Sequence, residues 1–582
     1  MSRPPLANLF AMYEAEPTSR RALTEELLQS GEFTEVWQPA PGWVAAAAPL
    51  PDSEPDGAFA REQGLAFAEG RDVLCSGGSE DKVRQCMAQI ASLADRASEH
   101  LNTLPGDFGF IRFRANGQAT VVRSCGGLVP FYLWASKERL AVGTRLGDLV
   151  RYLADEPCLD PLVNAIWSLG YSLFPDRRSF LADITVLDRG GFAKLDLDRP
   201  IQYGCYWNPR PERLNPPTEA TAAEHAERLR TLLVNKLTRD LDPKGGNLLT
   251  LSGGIDSSSL AALAAGTLGI PISTWSLLPE PEDKYRHEMS FIDPLLKDLA
   301  IERRWEVRME PQWRIEQLRG VPMAVFQVGH PALCDLPRVM SEAPIRVLFG
   351  GEFADEVCGS TCTIPDWARH TSLPSLVNAL FGTLPSGPRD LLRWTKHRLL
   401  PLIGRPPLPM PDRLPGFFRA EVLDEYRTWL DKWRREASYD PRPLRYLTLR
   451  AALSDYVPMN WEACSALGVR RSFPFINRQV LELAYECHPA EQLGPGQKKL
   501  LRAALQKDVP VKNLNRLDKG GWGVYLRGAQ LEWDRALPPL LDRVVKSEWY
   551  PRPPAMLEYR EARALVLLVG FATRLQGRRH AA

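Results

Sequence analysis

Short apolar or alternating segments separated by turn residues characterise the chain up to about residue 200. They occur at 108–113, 119–122, 131–134 and 140–142. Half-buried antiparallel strands have this pattern, because successive side chains of a strand point to opposite faces of its sheet. The pattern therefore predicts a β-rich amino-terminal domain.

A proline-rich connector follows this region, at 208–211 (Asn-Pro-Arg-Pro) and 215–217 (Asn-Pro-Pro). Proline can neither continue a helix nor lie in the interior of a sheet. We therefore predict two domains, at 1–210 and 219–582.

An amphipathic helix is predicted directly after the connector. Thr218 can cap its start, and Leu229, Leu233 and Leu237 recur every four residues. This spacing places the three leucines on one face of the helix, where they can pack against a core.

Strand and helix patterns alternate after that helix. Apolar strand patterns occur at 248–251, 272–276 and 345–349, and a small-residue helix is predicted at 258–265. The alternation is typical of an α/β fold with a doubly wound parallel sheet. From about Trp367 onward the pattern is mainly that of helices.

Composition and charge fit a folded protein without a bulk preference for nucleic acid or anionic membrane. Of 582 residues, 44% are apolar and 25% are charged, which is ordinary globular usage. The net charge is +1, so a charged partner would need a local patch. The apolar run 564–572 is far shorter than the roughly 18 residues of a membrane span. With no apolar segment after Met1 and early acidic residues at Glu14 and Glu16, we expect a cytoplasmic protein.

The sharpest chemical signal is a glycine and serine loop between a predicted strand and a predicted helix. Two glycines allow a tight turn around an anion, while serine hydroxyls, backbone amides and the helix start favour phosphate. The chain has no Gly-x-x-x-x-Gly-Lys-Ser/Thr motif, so this is not the loop of ordinary kinases and ATPases. The predicted pyrophosphate contacts are Leu251, Ser252, Gly253, Gly254, Asp256, Ser257 and Ser258.

An acidic segment follows the predicted strand 345–349. It reads Gly-Glu-Phe-Ala-Asp-Glu from Gly351 to Glu356. Loops at the carboxyl edge of a parallel sheet form the sites of α/β proteins. Asp256 and Asp355 are therefore predicted to hold Mg²⁺ on a triphosphate.

Two lysine-bearing segments complete the candidate chemistry, at 496–502 and 515–520. Lys498 and Lys519 can neutralise charge that develops on pyrophosphate and on a tetrahedral intermediate. Either segment alone would be interpreted as carrying surface lysines. The functional interpretation depends on their place in a larger pattern of motifs.

That pattern resembles the asparagine synthetase family, whose synthetase domain is of the ATP-pyrophosphatase type. Segments 252–258, 351–356, 469–475 and 498–502 match its phosphate loop, its Gly-Glu-Gly-Ser-Asp-Glu segment, its Gly-Arg-Val-Pro-Phe stretch and its lysine helix, in family order. The resemblance implies ATP and Mg²⁺, adenylation of a carboxylate, and displacement of AMP by an amine. It also implies catalytic roles for Glu352, Lys498 and Lys519, and nucleotide contacts at Ser276 and Gly351. Phe353 stands where the family has a small residue.

The amino-terminal part resembles the glutaminase domain of the same family, which has the N-terminal-nucleophile fold. Segment 104–110 is similar to its Leu-Asp-Gly-Asp-Phe-Ala-Phe strand, and 130–132 to its Pro-Leu-Tyr-Tyr. In those glutaminases a cysteine after the initiator methionine is the nucleophile, and its own amine acts as base. Position 2 here is Ser2, so we predict a degenerate domain without glutaminase activity.

Two branches of the family share this loss and close rings: the β-lactam synthetases and the lasso-peptide macrolactam synthetases. The β-lactam branch has tyrosine in the second position of the acidic segment, where this chain has Glu352. We therefore predict a lasso cyclase that joins an Asp or Glu side chain of a core peptide to the amino-terminal amine of that peptide. A β-lactam-type synthetase, an asparagine synthetase using ammonia, and an inactive peptide-binding scaffold stay as alternatives.

The lasso resemblance implies a precursor peptide as substrate, with a leader peptidase and a leader-binding protein as partners, and no nucleic acid. Residues 389–419 carry seven lysines or arginines against two aspartates, with prolines between them. Such a stretch can bind an acidic segment or be a solvated insert.

Overall fold

A computed structural model provides the structure of the chain. The residues that it describes are 8–31, 33–48, 65–69, 80–96, 99–104, 107–153, 160–168, 177–207, 219–279, 282–309, 331–359, 414, 418–438, 457, 460–461, 464–465, 467–492 and 498–516.

Eleven strands form two antiparallel sheets in the described residues before 208. The strands are β1 Asn8–Glu14, β2 Glu35–Trp37, β3 Trp43–Ala48, β4 Leu65–Glu69, β5 Gly109–Phe113, β6 Ala119–Arg123, β7 Tyr132–Ala135, β8 Arg139–Gly143, β9 Thr185–Val186, β10 Gly191–Asp196 and β11 Arg199–Cys205. One sheet has the order β2-β3-β1-β8-β7-β9 and the other β11-β10-β6-β5-β4. The strands predicted between 108 and 142 are confirmed as β5 to β8.

The two antiparallel sheets pack face to face over a shared apolar core. Trp43 and Leu133 of the first sheet and Ile111 and Val121 of the second belong to one buried cluster. Among the described residues of this part, four α-helices accompany the sheets: α1 Pro17–Gln29, α2 Glu80–Arg96, α3 Leu146–Tyr152 and α4 Pro161–Ser168. Helices α1 and α3 pack on the first sheet and α2 on the second. The amino-terminal part is therefore layered as helix, sheet, sheet and helix.

A parallel sheet forms the centre of the second part of the chain. Its strands are β12 Asn247–Thr250, β13 Ile272–Pro279, β14 Arg304–Met309, β15 Val347–Gly350 and β16 Arg470–Ser472. Their order is β14-β13-β12-β15-β16, and every pair is parallel. The chain moves from β12 to one side and later returns to its other side at β15. The crevice beside β12 and β15 is thus a topological switch point, where α/β proteins bind ligands.

Helices surround this parallel sheet. Those described are α5 Glu219–Asp240, α6 Ile255–Ala261, α7 Glu282–Asp298, α8 Pro331–Glu342, α9 Ala354–Cys358, α11 Arg478–Glu486, α12 Pro489–Gln492, α13 Lys499–Leu505 and α14 Val511–Leu514, whereas α10 Ala420–Ser438 contacts α4 of the amino-terminal part. A π-helical turn, Ala262–Thr267, continues α6. Leu229, Leu233 and Leu237 of α5 are fully buried in the main core cluster. The predicted stripe is therefore confirmed. No helix in the described part of the chain is long and apolar enough to cross a membrane.

The expectation of mainly helical structure after Trp367 misses one strand. Helices α10 to α14 agree with it, but Arg470–Ser472 adds β16 to the edge of the sheet, paired with β15. Two arginines and a serine form no apolar run, so their strand conformation follows from pairing with β15 and not from their own pattern. The connector 208–217 lies outside the described residues, as does nearly all of 389–419.

Candidate active site

The predicted phosphate loop lies between β12 and α6, and its turn depends on Gly253. Gly253 has φ +69°, in the left-handed region that disfavours a side chain. A Cβ there would lie 3.1 Å from side-chain atoms of both Phe291 and Ile292. Within the loop, the backbone N–H of Ser252 donates to Oγ of Ser257 at 3.1 Å. The sequence therefore folds into the tight turn that the glycines predicted.

Two buried side chains near the end of the described chain hold the outside of this loop. Asn513 Nδ2 donates to the carbonyl of Gly253 at 3.1 Å. Arg516 Nη1 donates to the carbonyl of Ser252 at 3.3 Å, and its Nη2 donates to Glu288 Oε1 at 2.8 Å. These contacts fix two carbonyl groups of the loop from behind. Neither Asn513 nor Arg516 was assigned a role from the sequence.

The acidic segment packs directly on the phosphate loop. A Cβ at Gly351 would lie 2.7 Å from Cβ of Asp256 and 2.8 Å from the backbone N of Ser257. Real side chains do not make such contacts, so glycine at 351 is required for the two loops to meet. Gly351 was predicted as a nucleotide contact, and it lies at the phosphate loop.

Lys498 lies between the two predicted metal ligands. Its ammonium pairs with Oδ2 of Asp256 and lies 2.9 Å from Oδ1 of Asp355. The side chain is only 3% exposed. Burial alone would lower the pKa of Lys498, but Asp256 and Asp355 outweigh it and raise that pKa. Lys498 therefore stays protonated, and one cation joins the two acidic loops.

Glu352 is held by Arg471, which lies in the family-like segment 469–475 but was assigned no role from the sequence. Arg471 Nη2 donates to Glu352 Oε1 at 2.5 Å, and the guanidinium lies over the ring of Phe473, 4.4 Å from its centroid. The other oxygen, Oε2, is buried beside Gly350 and has no hydrogen-bond partner in the described residues. One carboxylate oxygen is thus fixed, and the other is a buried acceptor without a donor.

Phe353 has its side chain packed in the core cluster. It has φ +72° and is 7% exposed, and its ring packs edge-on against Phe473 with 5.4 Å between centroids. Phe353, which stands where the family has a small residue, is therefore accommodated in the core.

Glu356, which the sequence analysis gave no role, has a perturbed pKa. Burial is the main cause, and the neighbouring carboxylate of Asp355 adds to it, so the pKa of Glu356 rises to about 7. A carboxyl group with this pKa changes its charge near neutrality.

The remaining predicted residues have different positions. Ser276 is buried in β13, directly after Trp275, whose carbonyl accepts from the N–H of Leu251 at 2.9 Å. Ser258 is fully buried, and its Oγ accepts from Asn513 at 3.3 Å. Contacts of Ser276 and Ser258 with a nucleotide stay predictions. Lys519 and Ser2 lie outside the described residues.

One other group of potential ligands occurs in the described residues: His225, Cys487 and Glu491. Glu491 Oε2 lies 2.6 Å from His225 Nδ1, and its Oε1 accepts from the backbone N–H of His488 at 2.9 Å. One carboxylate oxygen thus joins α12 to α5, and the other satisfies a backbone N–H at the start of α12.

A comparison with known families identifies the family to which this active-site geometry belongs. Residues 228–568 match the family described as asparagine synthase. The chain belongs to the asparagine synthase family. The matched range contains the phosphate loop, the acidic segment, Arg471 and Lys498, so the resemblance predicted from the motifs is confirmed. A search of the curated proteins finds no match.

Several solved structures resemble part of this chain, but their overall similarity to it is low. NMN synthetase from Francisella tularensis is 18% identical with a TM-score of 0.18, covering 24% of this chain and 57% of its own. The U34-tRNA thiolase NcsA from Methanococcus maripaludis is 13% identical with a TM-score of 0.19, covering 39% and 78%. Glutamine phosphoribosylpyrophosphate amidotransferase from B. subtilis is 11% identical with a TM-score of 0.13, covering 46% and 45%.

Proposed function

We propose that this protein is an ATP-dependent amide ligase that releases AMP and pyrophosphate. The observation that carries the proposal is the ammonium of Lys498 between Asp256 and Asp355, beside the loop 251–254. In a member of the asparagine synthase family, the amides and hydroxyls of this loop are suited to bind the phosphates of ATP. Lys498 is suited to stabilise the charge that develops when pyrophosphate leaves.

Asp256 and Asp355 are the residues that would hold Mg²⁺. Both carboxylates contact one ammonium, so their oxygens are within reach of a single cation. Mg²⁺ prefers one or two carboxylates plus phosphate oxygens. When bound, the ion neutralises negative charge on the triphosphate.

The proposed reaction has two steps. A substrate carboxylate attacks the α-phosphorus of ATP, the bond to the β-phosphate breaks, and pyrophosphate leaves with that electron pair. An amine then attacks the carbonyl carbon of the acyl adenylate, and AMP leaves. Lys498, which stays protonated, donates to the oxygens on which negative charge increases.

Glu352 is the proposed acceptor of the amine proton. Its Oε1 is fixed by Arg471, whereas Oε2 is buried and lacks a donor. A buried acceptor without a partner gains a bond when a proton arrives. The carboxylate therefore suits the second step, in which the attacking amine must lose a proton.

We propose a core peptide as substrate, with its amino-terminal amine condensed onto its own Asp or Glu side chain to give a macrolactam. Three features support this lasso-cyclase assignment: Ser2 in place of a glutaminase nucleophile, Glu352 in place of tyrosine, and the basic, proline-rich stretch 389–419. A leader peptidase and a leader-binding protein would act beside it, in the cytoplasm.

The amino-terminal part is proposed to be a degenerate glutamine-amidotransferase-like domain over 1–210, followed by the synthetase domain over 219–582. The layering of helix, sheet, sheet and helix supports an N-terminal-nucleophile type of fold. Loss of the nucleophile removes the ammonia supply, so the amine comes from the substrate.

The test is incubation of the protein with ATP, Mg²⁺ and candidate core peptides encoded beside its gene. We expect AMP, pyrophosphate and a peptide product lighter by one water that has lost its free amino terminus. A product that retains the free amino terminus contradicts the macrolactam. Glutamate release from glutamine in step with AMP would support an asparagine synthetase instead. ADP, or no turnover with any carboxylate, contradicts the ligase and leaves a binding scaffold.

A further inference from the structure

A lysine in α5 is buried between two carboxylates that belong to different parts of the fold. Lys236 Nζ lies 2.8 Å from Oδ2 of Asp107 and 3.2 Å from Oδ1 of Asp240. The three residues are 3%, 6% and 8% exposed. Apolar residues of similar volume often stabilise a core as well as or better than a buried ion pair. A purely stabilising role therefore gives little reason for these charges, whereas a positional role does.

The carboxylate of Asp107 is fixed within the amino-terminal sheets. It directly precedes the Phe108 and β5 segment, and Ser124 Oγ donates to its Oδ1 at 3.4 Å. A Cβ at Gly126 would collide with the same oxygen, so the chain passes close against the carboxylate. Asp107 is therefore a rigid anchor for Lys236 that comes from outside the parallel sheet.

The other end of this buried set reaches the parallel sheet at β16. The hydroxyl of Ser472 donates to Oδ2 of Asp240. Burial would raise the pKa of Asp240, but Lys236 and Arg470, together with the Ser472 hydroxyl, outweigh it and lower that pKa. Asp240 is therefore ionised, and it accepts from both Lys236 and Ser472.

The alternation of a strand connects Ser472 to the active site. Successive side chains of β16 point to opposite faces. Arg470 and Ser472 both interact with Asp240, so they face α5, and Arg471 between them faces the other way and binds Glu352. With only three residues in β16, a shift of Ser472 moves Arg471 as well.

We propose that Lys236 and Ser472 are positioning residues for Glu352: the set Asp107, Lys236, Asp240 and Ser472 fixes the position of β16, and thereby the Arg471 that orients the Glu352 carboxylate. The inference rests on the proposed function of Glu352 in the amide-forming step. It gives the amino-terminal part a role in the synthetase reaction that needs no glutaminase activity, because Asp107 supplies the fixed end.

The experiment separates the two steps of the reaction in the full-length protein. Pyrophosphate exchange into ATP, measured with a carboxylate substrate, reports adenylation alone, and product formation reports the amide step. Ser472→Ala removes one hydroxyl. We expect it to leave the KM for ATP and the exchange rate within about twofold and to lower the amide-forming rate about tenfold, within the range of coupling between contacting residues.

Matched variants separate positioning from general loss of stability. Ser179→Ala, which removes another buried hydroxyl with its own local bonds, should change neither rate. Ser472→Thr retains the hydroxyl and should recover most of the activity. Asp107→Asn keeps a polar group but removes the charge, and it should reproduce the same split between the two steps.

A double variant gives the decisive outcome. If Ser472 acts through Glu352, then Ser472→Ala should have little further effect in a Glu352→Gln background, because the two changes remove one function. Additive losses in the double variant, or an unchanged amide step in Ser472→Ala, would overturn the proposal while the wild-type protein remains a ligase. A wild-type protein without exchange or product overturns the ligase assignment and this inference together.

Discussion

The ammonium of Lys498 lies 2.9 Å from the carboxylate of Asp355, although 143 positions separate the two residues in the chain. The same ammonium pairs with Asp256, from the loop after β12. Three separate segments thus meet in one charge cluster. It consists of two carboxylates and one lysine, so it has a net charge of −1, and it lies at the edge of the sheet where β12 and β15 end. This arrangement leads to separate predictions for the lysine and for the carboxylates.

Replacement of Lys498 by Ala should slow adenylation and leave binding of ATP largely intact. The loop 251–254 and its supports are untouched by the change, whereas the donor to the developing charge is lost. Removal of one such donor typically lowers kcat about 10²–10³-fold. The measurement is the rate of AMP release against ATP concentration. Lys499→Ala is the matched control, because the Lys499 side chain is exposed, and it should behave like wild type.

Replacement of Asp355 by Asn should raise the Mg²⁺ concentration that is needed for half-maximal turnover. Loss of a ligand charge should weaken the metal at least as much as changes around a site do, about 10–100-fold. A titration of activity with Mg²⁺ at saturating ATP measures the shift. Asp298→Asn, an exposed change in α7, should leave the titration unchanged. An unaltered Mg²⁺ requirement in the Asp355 variant would remove this carboxylate from the metal site.

Glu356 should make the protein less stable as pH rises toward neutrality. Its pKa in the folded protein is about 7, above the ordinary value of 4.5. Between these two values the folded state binds the proton and the unfolded state does not, so the free energy of unfolding falls as pH increases. The change is at most about 3.5 kcal/mol, at roughly 1.4 kcal/mol for each unit of pKa.

The comparison that tests this is between wild type and Glu356→Gln. The neutral amide cannot ionise, so the thermal midpoint of wild type relative to the variant should fall between the two pKa values, 4.5 and about 7, with the steepest change about midway between them. Glu421→Gln, at the exposed start of α10, should follow wild type across the same range. Parallel midpoints for wild type and Glu356→Gln would mean that Glu356 ionises normally.

The sequence predicted the strands and loops that form this site better than the side chains that hold them in place. The runs 248–251 and 345–349 are apolar because strands in the middle of a parallel sheet are buried on both faces. Their loops could therefore be expected at one edge, and Gly351 does pack on Asp256. The contact of Lys498 with that edge followed from the family resemblance, since no local pattern relates positions 256 and 498.

The side chains that hold the site in place could not be predicted, because each acts through contacts with residues that are far away in the chain. Arg471 lies in a polar three-residue strand that gains its conformation from β15. Asn513 is an isolated amide in a four-residue helix, and it matters because it reaches the carbonyl of Gly253. Lys236 continues the helical pattern of α5 and looks like an ordinary surface lysine until Asp107 is placed beside it.

Gly253→Ala should weaken the binding of ATP through the shape of the phosphate loop. The substitution forces an alanine into φ +69° and places its Cβ 3.1 Å from both Phe291 and Ile292. The backbone must then shift, and its amides no longer converge on a phosphate. A left-handed non-glycine residue costs about 1–3 kcal/mol before any crowding is counted. We expect the KM for ATP to rise about tenfold or more, which corresponds to roughly 1.4 kcal/mol.

Gly269→Ala separates the loop effect from the general cost of a strained backbone. Gly269 has a similar φ of +63°, but a Cβ there would meet nothing within 4 Å. This variant should therefore lose stability without any change in the KM for ATP. Thermal midpoints should fall in both variants, while the KM should rise in Gly253→Ala alone. Equal KM values in the two variants would show that the turn at Gly253 does not shape the nucleotide site.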